Sequence, residues 1–393
     1  MKRDQINSIL NKLPTHLIII LTMLIWIIPT IGLFITSLRP LQDINTTGWW
    51  TIASPPPGAN LYNANCAACH GSNGKALLQA DLTNAAVVQP VSRSLQLEAD
   101  LKKQVNGQPH MGGKPIPSLQ NLADISAYLQ RISGGSPASF TLENYVDALV
   151  GYRGTTHYWI DCQKGTQAND LHCNISDLLN PRGMGRAFVN SLIVTIPATF
   201  FPILFAAFAG YAFAWLDFKG RFVLFAVLVG LQVVPLQMTL VPISQLYAHL
   251  GLNGTFLGVW LFHTGFGLPY AIYLMRNFLG SLPRDLFESA YLDGASHWTV
   301  FRRLVIPLAM PAIASLAIFQ FLWVWNDLLV ALVFLGGTTP VMTYQISNMV
   351  TSLGAGWQLL TAAAFLSMLL PMIVFFSLQR YFVRGMMAGA VKG

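Results

Sequence analysis

Charge is what this sequence most lacks. Asp, Glu, Lys and Arg together make up 10% of its 393 residues, against roughly 25% in an ordinary soluble domain. Hydrophobic residues reach 53% and mean hydropathy is +0.50. Too little polar surface remains to cover a water-soluble fold of this length, so the chain reads as an integral membrane protein. Acidic groups are scarcer than basic ones, 16 against 23, for a net charge of +7. That excess is not a nucleic-acid footprint, because the Lys and Arg are spread along the chain and fall beside hydrophobic segments; no nucleic acid is expected among the partners. No internal repeat of 20–50 residues is present, which excludes a repeat architecture. Cysteine is sparse, with four in all, but two of them stand in a motif.

What is abundant is the long apolar run. A bilayer-crossing helix needs about 20 mostly apolar residues, and six stretches qualify: 17–38, 188–214, 222–246, 256–279, 311–335 and 359–382. The expected fold is all-α: six membrane spans, with a small helical domain inserted between the first two. The first run follows Lys2, Arg3 and Lys12 and ends in Ser37-Leu38-Arg39-Pro40 without a small-residue cleavage site. It is too long for a signal peptide and reads as a retained span. Lys and Arg placement sets the orientation. With the N-terminus inside, the inner segments carry Lys219, Arg221, Arg276, Arg284, Arg302, Arg303, Arg380, Arg384 and Lys392, while the short outer loops 247–255 and 336–358 carry none. Segment 39–187 is long enough to translocate whatever its charge. Both termini are expected in the cytoplasm of a multi-pass protein of the cell inner membrane.

The long outer segment is not uniform. Ser54-Pro55-Pro56-Pro57-Gly58 opens an inner block and Ser133-Gly134-Gly135-Ser136-Pro137 closes it, as linkers flank a domain inserted into a loop. The expected division is 1–53 for the N-terminus and first span, 54–137 for the inserted domain with its linkers, 138–187 for the rest of the loop and 188–393 for the membrane core. Inside the block stands Cys66-Ala67-Ala68-Cys69-His70. C-x-x-C-H is the attachment pattern of c-type haem: two thiols a helical turn apart reach the two vinyl groups, and the adjacent His reaches the iron. A redox C-x-x-C or a zinc half-site is the alternative, but His follows directly and no second C-x-x-C exists. One covalent haem c is expected, held by Cys66 and Cys69 with His70 as an axial ligand. The sixth ligand would come from the Gly/Pro-rich loop Gly107-Gln108-Pro109-His110-Met111-Gly112-Gly113, where Met111 is the candidate and His110 its rival. An amphipathic helix from Asn121 to Ile132 follows, with Leu122, Ile125, Tyr128 and Leu129 on one face. This layout, over 58–132, resembles a class I cytochrome c. Members of that family often have Pro after the ligand Met, whereas Gly112 stands here.

A second motif lies between the fourth and fifth runs: Leu286-Phe287-Glu288-Ser289-Ala290-Tyr291-Leu292-Asp293-Gly294-Ala295, then Leu304-Val305-Ile306-Pro307-Leu308. The spacing predicts a short helix, a glycine turn and a second short helix, a compact knob on the membrane surface. It resembles the coupling loop of binding-protein-dependent ABC importer permeases, here 283–308, with Glu288, Ala290, Asp293, Gly294 and Pro307 in register and Ser289 departing from the pattern. Ser37-Leu38-Arg39-Pro40, Trp49-Trp50, Thr141-Leu142-Glu143-Asn144-Tyr145, Asn190-Ser191-Leu192, Trp325-Asn326-Asp327 and Gln379–Gly385 are similar to the maltose/alpha-glucoside branch. Together these pieces cover about 15–53 and 140–393. The resemblance implies a carbohydrate permease subunit, not itself an enzyme. It would pair with a second, related permease, two ATPase subunits that hydrolyse ATP, and an extracytoplasmic sugar-binding protein.

Three smaller features remain. Asn326 and Asp327 fall in the fifth run, where a carboxylate is costly and faces protein or water; they line the sugar path or the permease–permease interface, or cap backbone or pair structurally. Gln232, Pro235 and Gln237 suit a kinked, partly wet third span. Cys162 and Cys173 lie in the outer loop, where a disulfide is the default and a metal site with His157 and His172 the alternative. A rival class is a respiratory subunit passing electrons from quinol to periplasmic carriers. It would want paired His in facing spans, but His16 and His263 sit near run ends and His249 in a loop. A haem-based redox or gas sensor grafted on a permease is a third reading.

Overall fold

A computed structural model describes residues 2–39, 44, 48–51, 58–71, 82, 94–105, 108–109, 115–133, 140–153, 158–159, 162, 175–349 and 356–390. The chain divides into two units, 1–173 with 349–365 and 174–348 with 366–393.

In the first unit, helix α1 (Lys2–Ser37) contains a span over Pro14–Ser37. Its apolar side chains, such as Ile18, Ile25 and Trp26, are exposed on nearly all sides, as suits a helix whose solvent is lipid. The haem-motif block is helical: α2 (Ala59–Asn65), α3 (Ala67–His70), α4 (Ser94–Leu101) and α5 (Leu119–Ser133). The amphipathic helix expected from Asn121 to Ile132 is therefore present and slightly longer. Leu122, Ile125, Leu129 and Ile132 are buried against Tyr62, Leu97 and Leu101, and Tyr62 packs on Tyr128 at 5.1 Å between ring centroids. Among the described residues the only strand pairing is a two-residue antiparallel ribbon, Gln104–Val105 with Gln108–Pro109.

The chain leaves the first span and returns from the block at one place. Thr141 N donates to Leu38 O at 2.6 Å. The Asn144 amide, fully buried on α6 (Glu143–Val150), donates to Ser37 O and Arg39 O, both at 2.9 Å. Tyr145 OH meets Ser37 Oγ at 2.7 Å. Two sequence pieces about 100 positions apart, Ser37–Arg39 and Thr141–Tyr145, thus form one clasp, and the residues between them make a closed excursion.

The second unit holds the remaining apolar helices. α7 (Met184–Trp215) and a helix running from His297 to Trp325 are long and apolar enough to cross a bilayer, as is Trp357–Arg380 at the start of α16 (Trp357–Ala390), which runs from one unit into the other. The expected third span is broken: Arg221–Val233, which begins as α8 (Arg221–Gly230), and α9 (Leu236–Leu250) meet at 100°. Val234 and Pro235 are extended at the break, because Pro235 has no N–H and forces its predecessor out of the helical region. The expected fourth run is α10 (Phe256–Gly280), long enough to cross but diluted by His263, Thr264, four glycines, Arg276 and Asn277. The fifth departs from 311–335: the helix starts earlier, ends at Trp325, and the short helices α14 (Leu329–Phe334) and α15 (Met342–Met349) follow.

Lipid supplies no hydrophobic drive between helices, so small residues set the close contacts. α7 and α10 meet through Ala206, Ala207, Ala271 and Met275, all buried. A Cβ built on Gly210 would lie 2.7 Å from Met275 Cβ and 3.1 Å from Arg276 N, so this crossing requires glycine. Gly210→Leu is expected to cost at least about 1–3 kcal/mol by overpacking, read as a lower Tm and a loss of monodisperse protein in detergent; an unchanged melting curve would disprove the tight crossing.

Candidate functional site

The loop that the sequence marked as a knob is built from two short helices. Pro283 leads into α11 (Arg284–Leu292), Ser296 caps α12 (His297–Val300) by accepting from Thr299 N at 3.3 Å, and Gly294 turns between them with φ +79°. That left-handed conformation lets Gly294 N reach Tyr291 O and Ala295 N reach Ala290 O, both at 3.0 Å, satisfying carbonyls at the helix end. The next turn is a wide π-turn, Phe301–Val305, in which Ile306 N bonds to Phe301 O. Pro307 follows at the start of α13 (Ile306–Trp325). The wide turn accommodates a residue that cannot make the ordinary helical bond.

The knob is anchored on its inner face and bare on its outer one. Phe287 is buried and stacks on Trp215 with centroids 3.7 Å apart; Trp215 Nε1 in turn donates to Leu279 O at 3.1 Å. Tyr211 OH, Tyr291 OH and His297 Nδ1 form a triangle with sides of 2.8, 3.2 and 3.1 Å. The triangle ties α7, α11 and α12 together. Asp285, Glu288, Ser289 and Leu292 share the opposite face and are exposed, Leu292 at 88%. Sequence reasoning named the outer residues and missed the anchors Tyr211, Trp215 and His297, which lie outside the loop or past its turn and carry no local periodic signal.

Asn326 and Asp327 sit at a helix break rather than deep in a span. Asp327 Oδ1 and Oδ2 accept from Leu329 N and Val330 N at 3.2 Å each, and Asn326 Nδ2 donates to Leu322 O at 2.8 Å. His263 Nε2 lies 3.4 Å from Asp327 Oδ2. His263 is the eighth residue of α10 and is 1% exposed, not near a span end as expected. The carboxylate therefore caps the short helix and ties it to α10. On its other side His263 meets Trp323 edge to face, with ring centroids 5.2 Å apart.

In the inserted block, the Cys-x-x-Cys-His segment is one helical turn. Cys69 N and His70 N both donate to Cys66 O, at 3.2 and 3.0 Å. Gly71 ends the turn, and its carbonyl accepts from Tyr62 OH at 2.8 Å. Neither Cys66 nor Cys69 is in a disulfide, and His70 is buried. Two unbridged thiols on one turn, beside a buried imidazole, match the donor set of a c-type haem. Met111 and its rival His110 lie outside the described residues. Cys162 is disulfide-bonded; Cys173, its expected partner, and His157 and His172 lie outside the described residues. Among the described residues no group of three or more His, Cys, Asp or Glu could hold a metal ion.

Comparison with known proteins matches residues 188–388 to the family described as binding-protein-dependent transport system inner membrane component and residues 56–133 to the cytochrome c family. The osmoprotective compounds uptake permease protein GgtD of Synechocystis sp. is 43% identical, over 97% of this chain and 93% of its own. The alpha-glucoside transport system permease protein AglG of Rhizobium meliloti is 40% identical over 96% of each. A probable ABC transporter permease protein of Pyrococcus horikoshii is 35% identical, over 69% of this chain and 90% of its own.

Phe287 is the inner anchor of α11, and Phe287→Ala should remove about 3–5 kcal/mol of packing there. The expected outcome is faster tryptic cleavage at Arg284, Arg302 and Arg303 in the folded, detergent-solubilised protein. Cleavage at the wild-type rate would show that the Trp215 stack does not hold the knob.

Proposed function

The chain belongs to the family of binding-protein-dependent transport system inner membrane components, and from that premise we propose that it is one permease subunit of an ATP-driven importer of oligosaccharides or alpha-glucosides. The observation that carries this reading is the knob: anchored inward by Phe287, turned by Gly294, and bare at Glu288 and Leu292. Such a knob suits a cleft on a cytoplasmic ATPase and would hand its motion to α13. The remaining partners are a second, related permease, two ATPase subunits and an extracytoplasmic sugar-binding protein, with both termini of this chain in the cytoplasm. The relative AglG, an alpha-glucoside transport system permease protein, supports the sugar class. The chain hydrolyses nothing itself. A Cβ at Gly294 meets no atom within 4 Å, so Gly294→Leu strains only the backbone, by about 1–2 kcal/mol, and projects a bulky group onto the docking face. Uptake of labelled maltose or trehalose by the complete transporter is expected to fall at least tenfold while the subunit still inserts. Wild-type uptake by this variant would remove the knob from the coupling path, and purification without an ATPase or a second permease would overturn the class.

The inserted block is read as a c-type cytochrome on the outer face. Cys66 and Cys69 would hold one haem covalently, and His70 and Met111 would supply its iron ligands. When bound, the group supplies one-electron transfer. The chain's own part is positional: Tyr62 fixes the end of the Cys-x-x-Cys-His turn, and the buried face of α5 backs it. The clasp between Ser37–Arg39 and Thr141–Tyr145 supports a passenger or auxiliary electron-transfer role, because the permease segments on either side join without the block. Cys66→Ser with Cys69→Ser should abolish haem staining of the denatured polypeptide. Deleting 58–132 and joining the linkers should leave sugar uptake within about twofold of wild type, since the clasp bonds, worth about 1 kcal/mol each, stay intact. A redox-dependent uptake rate in wild type that vanishes in the deletion would make the haem a sensor instead.

A further inference from the structure

Two adjoining cavities open beside the broken third span, of about 350 and 330 Å³, within the ~300–1,000 Å³ of ordinary ligand sites. The first is lined by Gln232, Val234 and Gly265, the second by Phe319, Gln320 and Trp323, and Phe266 and Tyr270 line both. All lie in one unit of the chain. The setting is unusual for a lipid-facing wall. Gln232 is exposed one turn before the Val234–Pro235 break, and Tyr270 is 42% exposed. Neither the Gln232 amide nor the Tyr270 hydroxyl makes a hydrogen bond among the described residues. A free amide and an interrupted backbone at membrane depth are tolerated where they meet protein or line a water-filled cavity.

The walls are held rather than loose. Gln320 Nε2 donates to Ala198 O at 3.1 Å, and its side chain fills the space a Cβ on Gly267 would need. The His263 ring, itself beside Asp327, backs Trp323. Gly265 has no atom within 4 Å of where its Cβ would stand, which keeps the mouth between Gln232 and Tyr270 clear. Fixed aromatic faces with a few hydrogen-bonding groups between them suit one class of solute. A pyranose ring offers an apolar C–H face to stack on Tyr270 or Trp323 and hydroxyls around its rim for Gln232 and the tyrosine OH. A cation would find no carboxylate among these residues, and an anion no Lys or Arg.

We propose that this pair of cavities is a glycosyl-binding station on the transport path, with Tyr270 and Trp323 as stacking platforms and Gln232 as a hydroxyl partner. The assignment rests on the sugar-importer reading above.

The experiment measures uptake of radiolabelled maltose, sucrose and trehalose by cells carrying the complete transporter, with yield and elution profile of the purified complex in parallel. Tyr270→Ala, Trp323→Ala and Gln232→Leu are each expected to raise KM about five- to tenfold or to cut transport by that factor, the loss of one stacking or hydrogen-bonding contact. Recovery of each variant complex in wild-type yield as a monodisperse peak excludes misfolding, and Tyr270→Phe should recover most of the uptake. If wild type imports one of these sugars and Tyr270→Ala and Gln232→Leu import it equally well, the station is wrong while the importer reading stands. If wild type imports none of them, the sugar reading fails and the station with it.

Discussion

Inside a bilayer the backbone has no water to turn to, so each N–H and C=O must find its partner within the protein. The chain meets this with long helices wherever it can, and each departure from a helix comes with a local remedy. At Asn326–Asp327 the carboxylate takes the N–H groups of Leu329 and Val330, and Thr343 Oγ1 closes on Asp327 O at 2.9 Å. Before Pro307 the helix widens into a π-turn, so that a residue without an N–H leaves no hole. At Val234–Pro235 the break opens beside a cavity instead of into packed helix. The irregular points are thus the ones furnished with side chains that do chemistry, because bilayer physics removes irregular backbone elsewhere.

The same economy explains how a second domain can ride on the permease. Loop closure grows only slowly more costly with length, about 0.6 kcal/mol per doubling, so an insertion is tolerated when its two ends are already held together. Here Leu38 O and Thr141 N are hydrogen-bonded, and Asn144 bridges two carbonyls at the end of the first span. The block keeps its own core around Tyr62, Leu122 and Ile125.

Much of this was legible in the sequence, and the boundary between what was and was not is physical. Apolar runs, the Cys66–His70 spacing and the Asp293-Gly294 turn are local signals, and the helices and the knob stand where they pointed. The kink at Pro235 was legible for the same reason, since proline acts on its own neighbours. The 100° size of that bend was not, because it depends on packing against α10. Asp327 was read as buried in a span, since hydropathy alone cannot see that Asn326 and Asp327 compete for backbone groups and stop the helix. His263, Tyr211 and Trp215 were invisible as partners: each meets residues more than 60 positions away, and no periodicity records such a contact.

The two ends of the fifth apolar segment join the membrane knob to the cavities. His297 to Trp325 is a single 29-residue helical run. At 1.5 Å per residue, His297 and Trp323 are separated by roughly 39 Å along it. Its first turn is fixed by the Tyr211–Tyr291–His297 triangle, and its far end carries Gln320 and Trp323 into the cavity wall. A helix is stiff along its axis, and packed cores switch between arrangements rather than yielding smoothly. On the importer reading, a displacement of α11 by a docked partner would not be absorbed between Phe287 and Trp215 alone. It would pass into the helix that begins at His297, where the π-turn at Phe301–Val305 already interrupts the regular bonding pattern. The physical link between knob and cavity is thus one helix with one interrupted turn, and the aromatic wall at Trp323 stands at its far end.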